Sequence, residues 1–160
     1  MGFLLGVIPM RRGAVGTNGP KAASHNCNIE KILEEKRGAG SMNARVLIVD
    51  DIECIRRVIR RIVEREGCEV VGEAKDGAEA IEQFHKLNPD LITMDVTMPR
   101  CSGIDALRQI VKADPDARVV MCSAMGEEKL VTEALEAGAR DFIVKPFRCQ
   151  HVITALRKAL

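Results

Sequence analysis

The chain of 160 residues contains no tryptophan and no tyrosine, and its aromatic content is four phenylalanines. A platform that stacks on nucleic-acid bases is built from several such rings, so this class is not expected. Charge of one sign is also lacking. Residues 1–41 hold six Lys/Arg against three Asp/Glu, a net +3, and residues 42–160 hold eighteen against twenty, a net −2, giving +1 for the whole. A mildly acidic body does not grip a phosphate backbone by charge, so nucleic acid is not an expected partner. No apolar run approaches the roughly 20 residues that span a bilayer. The opening MGFLLGVIPMRR carries its charges after its apolar patch, where a signal peptide carries them before. Gly6 stands where N-myristoylation prefers Ser or Thr. No membrane association is expected. The six cysteines, at 27, 54, 68, 101, 122 and 149, include no C-x-x-C pair. Cys54, Cys68 and Cys122 lie in apolar surroundings, and the set reads as reduced thiols in a cytoplasmic protein. His25, His85 and His151 follow no metal-ligand spacing and read as surface residues.

What is present divides the chain in two. Residues 1–42 are glycine-rich and weakly periodic and are expected to be a disordered N-terminal extension. Within them, residues 26–37 could form a short helix capped by Asn28, marginal by itself. A regulatory arm and a translation start at Met42 are the alternatives. Residues 43–160 are expected to form one domain. Apolar strand-like runs at 46–49, 69–74, 91–94, 118–122 and 142–144 alternate with helical patterns. The first helix shows Ile55, Val58, Ile59, Ile62 and Val63 at helical spacing, with five arginines on its other face. The second runs from about Gly77 to Leu87, with Asp76 as N-cap and Glu79 completing a capping box. The third uses Ile104, Leu107, Ile110 and Val111. The fourth uses Leu130, Val131, Ala134 and Leu135 and ends at Gly138, and the last uses Val152, Ile153, Leu156 and Leu160. Five strands alternating with five helices predict an α/β fold, a parallel sheet covered on both faces. The nearly all-apolar first, third and fourth strands belong at its centre and EVVGEA at an edge.

In such sheets the functional crevice lies at the carboxyl ends of the strands. The first strand runs directly into Asp50-Asp51, where two adjacent charges repel by roughly 4 kcal/mol at an effective dielectric near 20. The third strand ends in Asp95, the fourth in Ser123 and the fifth in Lys145-Pro146. Three carboxylates, a hydroxyl and an ammonium therefore converge on one edge. The carboxylates need a cation, and hard oxygen ligands suit Mg²⁺, which keeps several waters and takes one or two carboxylates. Each residue also has a plainer reading: Asp51 and Ser123 as helix caps, Pro146 as the first residue of a helix. Their joint arrival at one edge favours the functional reading.

VLIVDD at 46–51, DGAEAI at 76–81, MDVTMPRCSG at 94–103, MCSA at 121–124 and AGARDFIVKPF at 137–147 together resemble the receiver domain of bacterial two-component response regulators. Residues 121–147 are most similar to stand-alone chemotaxis regulators of the CheY type. The resemblance implies a flavodoxin-like, doubly wound five-stranded sheet of order 2-1-3-4-5. It implies that Asp95 is the phosphoryl acceptor, supplied by a CheA-type histidine kinase. Asp51, Asp95 and the Thr97 carbonyl would hold Mg²⁺, with Asp50 acting through water. Lys145 and Ser123 would contact the phosphoryl oxygens, and the Lys145-Pro146 bond would be cis. Phe142, which replaces the tyrosine of well-known members, would turn inward on phosphorylation. The output face would include Val131, Phe142 and Val144, and its target would be a flagellar motor switch protein. Thr97 and Met125 occupy positions that tune phosphate lifetime in the family. Neither is acidic or an amide, so slow self-dephosphorylation and a separate phosphatase are expected of a monomeric, non-enzymatic signalling protein.

Three other functions compete with this reading. A phosphatase of the haloacid dehalogenase type needs a second Asp where Thr97 stands. A transcription factor needs a DNA-binding domain after the fifth helix. A phosphorelay intermediate, or a single-domain receiver of a non-chemotaxis pathway, keeps the same chemistry and could use the arginine-rich first helix to meet its partner.

Overall fold

The apolar runs pair into a sheet whose alternation fills two separate cores. The computed structural model describes residues 41–160; the N-terminal extension and the helix expected at 26–37 lie outside the described residues. The strands are β1 (Arg45–Val49), β2 (Glu69–Ala74), β3 (Leu91–Asp95), β4 (Val119–Ser123) and β5 (Asp141–Val144), and the helices are α1 (Glu53–Arg65), α2 (Gly77–Leu87), α3 (Gly103–Ala113), α4 (Glu128–Glu136) and α5 (Cys149–Ala159). All pairings are parallel, in the order β2-β1-β3-β4-β5. As expected, β1, β3 and β4 are central and the charged β2 is an edge. Side chains alternate across each strand. Leu47, Ile92, Met94, Val119 and Met121 pack against Ala80, Phe84, Ile104, Leu107 and Ile110 on one face. Val46, Ile48, Leu91, Val120 and Ile143 pack against Ile59, Ile62, Val63, Val152 and Leu156 on the other. A sheet buried on both sides explains why its strands are almost wholly apolar.

Local sequence sets the boundaries. Asp76 accepts the Glu79 N–H at 3.0 Å, and Glu79 reaches back to the Lys75 N–H at 3.0 Å, one residue earlier than in an ordinary capping box. Gly138 closes α4 at φ +107, a left-handed conformation suited to glycine. β3 and β4 each run one residue beyond their apolar run, because Asp95 and Ser123 still pair with Cys122 and Val144.

Two helical faces are less buried than their periodicity predicts. Val58 on α1 and Leu135 on α4 are exposed, and Ala134 is the one buried residue of α4. The first turn of α4 stands beside a groove next to β5 instead of closing on the sheet. Cys54 is exposed, unlike Cys68 and Cys122, because it lies in the first turn of α1 away from the core.

The chain leaves β1 for the β2 edge and then crosses back to β3. Parallel neighbours reached from opposite directions leave a crevice at their carboxyl ends. Asp50 and Asp51 follow β1, Asp95 ends β3, Ser123 ends β4 and Lys145 follows β5. At Gly103, a side chain would collide with the Asp95 carbonyl, and the Gly103 N–H donates to Val96 O at 2.9 Å. Glycine thus lets the start of α3 press against the loop that follows Asp95.

Candidate functional site: an acidic crevice crossed by a lysine

Asp50 is fully buried and doubly held. Its Oδ1 accepts the Ile52 N–H at 2.9 Å and its Oδ2 accepts Lys145 Nζ at 2.7 Å. The same ammonium donates to Asp95 Oδ1 at 2.8 Å, and Asp95 too is buried. Asp51 sits exposed at the rim. One carboxylate oxygen from each of Asp50, Asp51 and Asp95 lies within 4.8 Å of the others. The Lys145-Pro146 bond is cis.

Burial pushes the Asp95 carboxyl up to about 6; the Lys145 ammonium works against this, while the charges of Asp50 and Asp51 add to it. For Lys145, burial acts to lower the pKa, but hydrogen bonds to Asp50 and Asp95 outweigh it and raise the value. The lysine therefore stays charged, and one ammonium serves two buried carboxylates. A third, Asp51, stands beside them without an ion-pair partner among the described residues. The donor set is hard oxygen, closely spaced and in excess of the available positive charge. It fits a small divalent cation of the Mg²⁺ kind, which takes one or two carboxylates and completes its shell with water and phosphate oxygens.

Ser123 ends β4 at the same edge. It is buried, and its Oγ has no hydrogen-bond partner among the described residues. A buried hydroxyl without a partner costs about 1–3 kcal/mol, and this one retains an unused donor at the edge where Asp95 and Lys145 meet. Behind it Cys122 is wholly buried, and desolvation raises its thiol to about 12.

None of the plain capping readings applies. α1 is preceded by Ile52, α4 by Glu127 and α5 by Arg148, each without a side-chain cap bond. Asp51, Ser123 and Pro146 therefore do not terminate helices. Of the α1 arginines, Arg56 donates to the Asp50 carbonyl at 2.7 Å and to Glu73 at 2.9 Å, and Arg60 also binds Glu73. Part of that face is thus engaged inside the fold, bracing β1 and β2.

Thr97 stands exposed at the mouth, and its hydroxyl donates to Glu127 Oε1 at 3.1 Å. Glu127 is the residue that sequence reasoning missed. Its Oε2 accepts the Ala124 N–H at 2.7 Å. Gly126, at φ +89, turns the chain so that this carboxylate comes back over the crevice. A glycine between Ser123-Ala124 and an acidic pair was the available signal.

Phe142 and Val144 on β5, both exposed, line a groove of about 350 Å³ with Val131, Met125 and Ser123. Ser123 and the outward-facing phenylalanine therefore line one groove, with the serine hydroxyl itself buried behind it.

Residues 46–157 match the response regulator receiver domain family. The chain is 51% identical over 117 residues to the chemotaxis protein CheY of Thermotoga maritima, covering 73% of this chain and 98% of that protein. It is 50% identical over 119 residues to CheY of Bacillus subtilis, covering 74% and 99%. Among solved structures, the CheX-CheY-BeF3-Mg complex of Borrelia burgdorferi is similar at TM-score 0.66 and 40% identity, covering 70% of this chain and 85% of that one. Sheet order, crevice and sequence agree: this chain belongs to the receiver domains of response regulators, and its relatives point to chemotaxis.

Proposed function

We propose that Asp95 accepts a phosphoryl group from a phosphohistidine on a CheA-type kinase, and that the phosphorylated chain binds a flagellar motor switch protein. The observation that supports this best is the juxtaposition at one strand edge of Asp95, the Lys145 ammonium and the unpartnered Ser123 hydroxyl.

In this reading an Asp95 oxygen attacks phosphorus in line as the imidazole leaves. Burial keeps that carboxylate a stronger base than an exposed Asp, yet it is still largely ionised at neutral pH. Asp51, Asp95 and the Thr97 carbonyl would hold Mg²⁺, with Asp50 acting through water. The ion would neutralise charge on the transferring group. Lys145 shifts from its carboxylates towards a phosphoryl oxygen. Ser123 donates its free hydroxyl to another, satisfying a group that the unphosphorylated chain leaves without a partner.

Movement of Ser123 enlarges the groove it shares with Phe142. The ring turns in, and burying it contributes roughly 1.5–3 kcal/mol, enough to shift a two-state equilibrium about tenfold or more. The altered face, with Val131 and Val144, is the output surface. The working unit is residues 43–160, a monomer in the cytoplasm, with residues 1–42 as an extension. No helix among the described residues is long and apolar enough to cross a membrane. A separate phosphatase would end the signal; the similar Borrelia CheY is likewise held by a second protein in the presence of BeF3 and Mg.

The test is to titrate a motor-switch peptide against wild type and Phe142→Ala, each with and without beryllofluoride. The chemotaxis reading predicts that beryllofluoride tightens binding to wild type and that Phe142→Ala loses most of this gain. Equal binding in all four states removes it and leaves a phosphorelay role in its place.

A further inference from the structure

Glu127 is placed to cap its own helix and does not. It occupies the N-cap position of α4, yet its side chain makes no cap hydrogen bond. Its carboxylate instead spans the loops after β3 and β4, accepting the Thr97 hydroxyl at 3.1 Å and the Ala124 N–H at 2.7 Å. These loops directly follow Asp95 and Ser123, the last residues of β3 and β4. The Ala124 N–H directly follows the one hydroxyl at this edge that lacks a partner. Two of the donors available to an anion at this edge are thus already held by an anion belonging to the chain. Preorganised donors at the end of a strand serve whichever negative oxygen reaches them.

We infer that Glu127 is an internal competitor of the phosphoryl group: a latch that holds the crevice in its unphosphorylated form and sets how readily Asp95 becomes loaded. This rests on the reading of Asp95 as phosphoryl acceptor. A phosphoryl group on Asp95 brings further negative charge to the same edge and competes for the same donors, so the carboxylate is repelled and loses its partners together. Glu127 immediately precedes α4, and it lines the groove that Val131 and Phe142 also line. Its release frees the first turn of α4, so one side chain links the charge at Asp95 to the shape of that groove. It is a regulatory and positioning residue and takes no part in the bond-forming step.

The full chain has neither tryptophan nor tyrosine to report binding. Beryllofluoride affinity in Mg²⁺ buffer is therefore read by fluorine NMR, and loading by the initial rate with acetyl phosphate. Glu127→Ala removes charge and acceptor; Glu127→Gln keeps an acceptor and removes the charge. The latch predicts beryllofluoride binding about five- to tenfold tighter in Glu127→Ala, consistent with loss of a competing charge-assisted hydrogen bond, with Glu127→Gln between it and wild type and loading rates in the same order. The Ala124 amide resonance should move upfield in Glu127→Ala and return when beryllofluoride binds. If Glu127→Ala melts early, Glu127→Gln decides alone. Unchanged or weaker binding in a folded variant overturns the latch while leaving the acceptor reading intact. Failure of wild type itself to bind beryllofluoride overturns both.

Discussion

Lys145 donates to Asp95 at 2.8 Å across fifty residues of sequence, and it does so while also holding Asp50 at 2.7 Å. A single ammonium is divided between two buried carboxylates. Pairing inside a protein offsets a large desolvation cost, and removing one partner exposes that cost.

Lys145→Ala should therefore destabilise the metal-free chain by about 3–5 kcal/mol. Mg²⁺ should restore much of the loss, because a cation at the same carboxylates replaces the ammonium's charge and no longer has to oppose it. Thermal shift against Mg²⁺ should show an affinity equal to or above that of wild type, and phosphorylation should no longer promote partner binding. A large loss of Mg²⁺ affinity would contradict this assignment.

Asp95 has a folded pKa of about 6 against an ordinary 3.8. The folded chain holds this proton more tightly than the unfolded one. The contribution of Asp95 to stability therefore falls as pH rises from 4 to 6, by about 3 kcal/mol at most. In chelator, Asp95→Asn should be the more stable protein at pH 8 by about 1–3 kcal/mol, and the difference should shrink as pH falls to 5. Denaturant melts at the two pH values check the sign; a wild type more stable than the variant at pH 8 would refute it.

Cys54 and Cys149 are exposed, while Cys68 and Cys122 are buried, with the Cys122 thiol raised to about 12. A thiol reagent at pH 8 should modify the first two in the native chain and reach the other two only after unfolding. Peptide mapping distinguishes the pairs, and rapid native labelling of Cys122 would show that the sheet opens at the end of β4.

Phe142 lies 37% exposed on β5. Phe142→Ala should cost about 0.5 kcal/mol or less in the unphosphorylated chain. A melting temperature near that of wild type is the check, and it ensures that lost partner binding reports the switch. A large destabilisation would mean that the ring is already packed inward.

Asp50, Asp51, Asp95, Ser123 and Lys145 were legible in the sequence because each follows or ends an apolar run, and parallel strands bring such ends to one edge. The central places of β1, β3 and β4 and the edge place of β2 followed from the same runs, while the full order came from the family resemblance. Glu127 was marked only by the glycine before it. Its reach depends on the positive φ of Gly126 and on a hydrogen bond to Thr97 thirty residues away, and neither leaves a periodic trace. The exposure of Val58 and Leu135 was missed for a related reason: helical spacing identifies an apolar face without showing whether anything covers it.

The most direct test of the central claim is to incubate the chain with acetyl phosphate and locate the added group by peptide mass mapping. The account predicts one phosphoryl group, on Asp95, dependent on Mg²⁺ and absent from Asp95→Asn. Undiminished labelling of Asp95→Asn, or undiminished labelling of wild type in excess chelator, would contradict it.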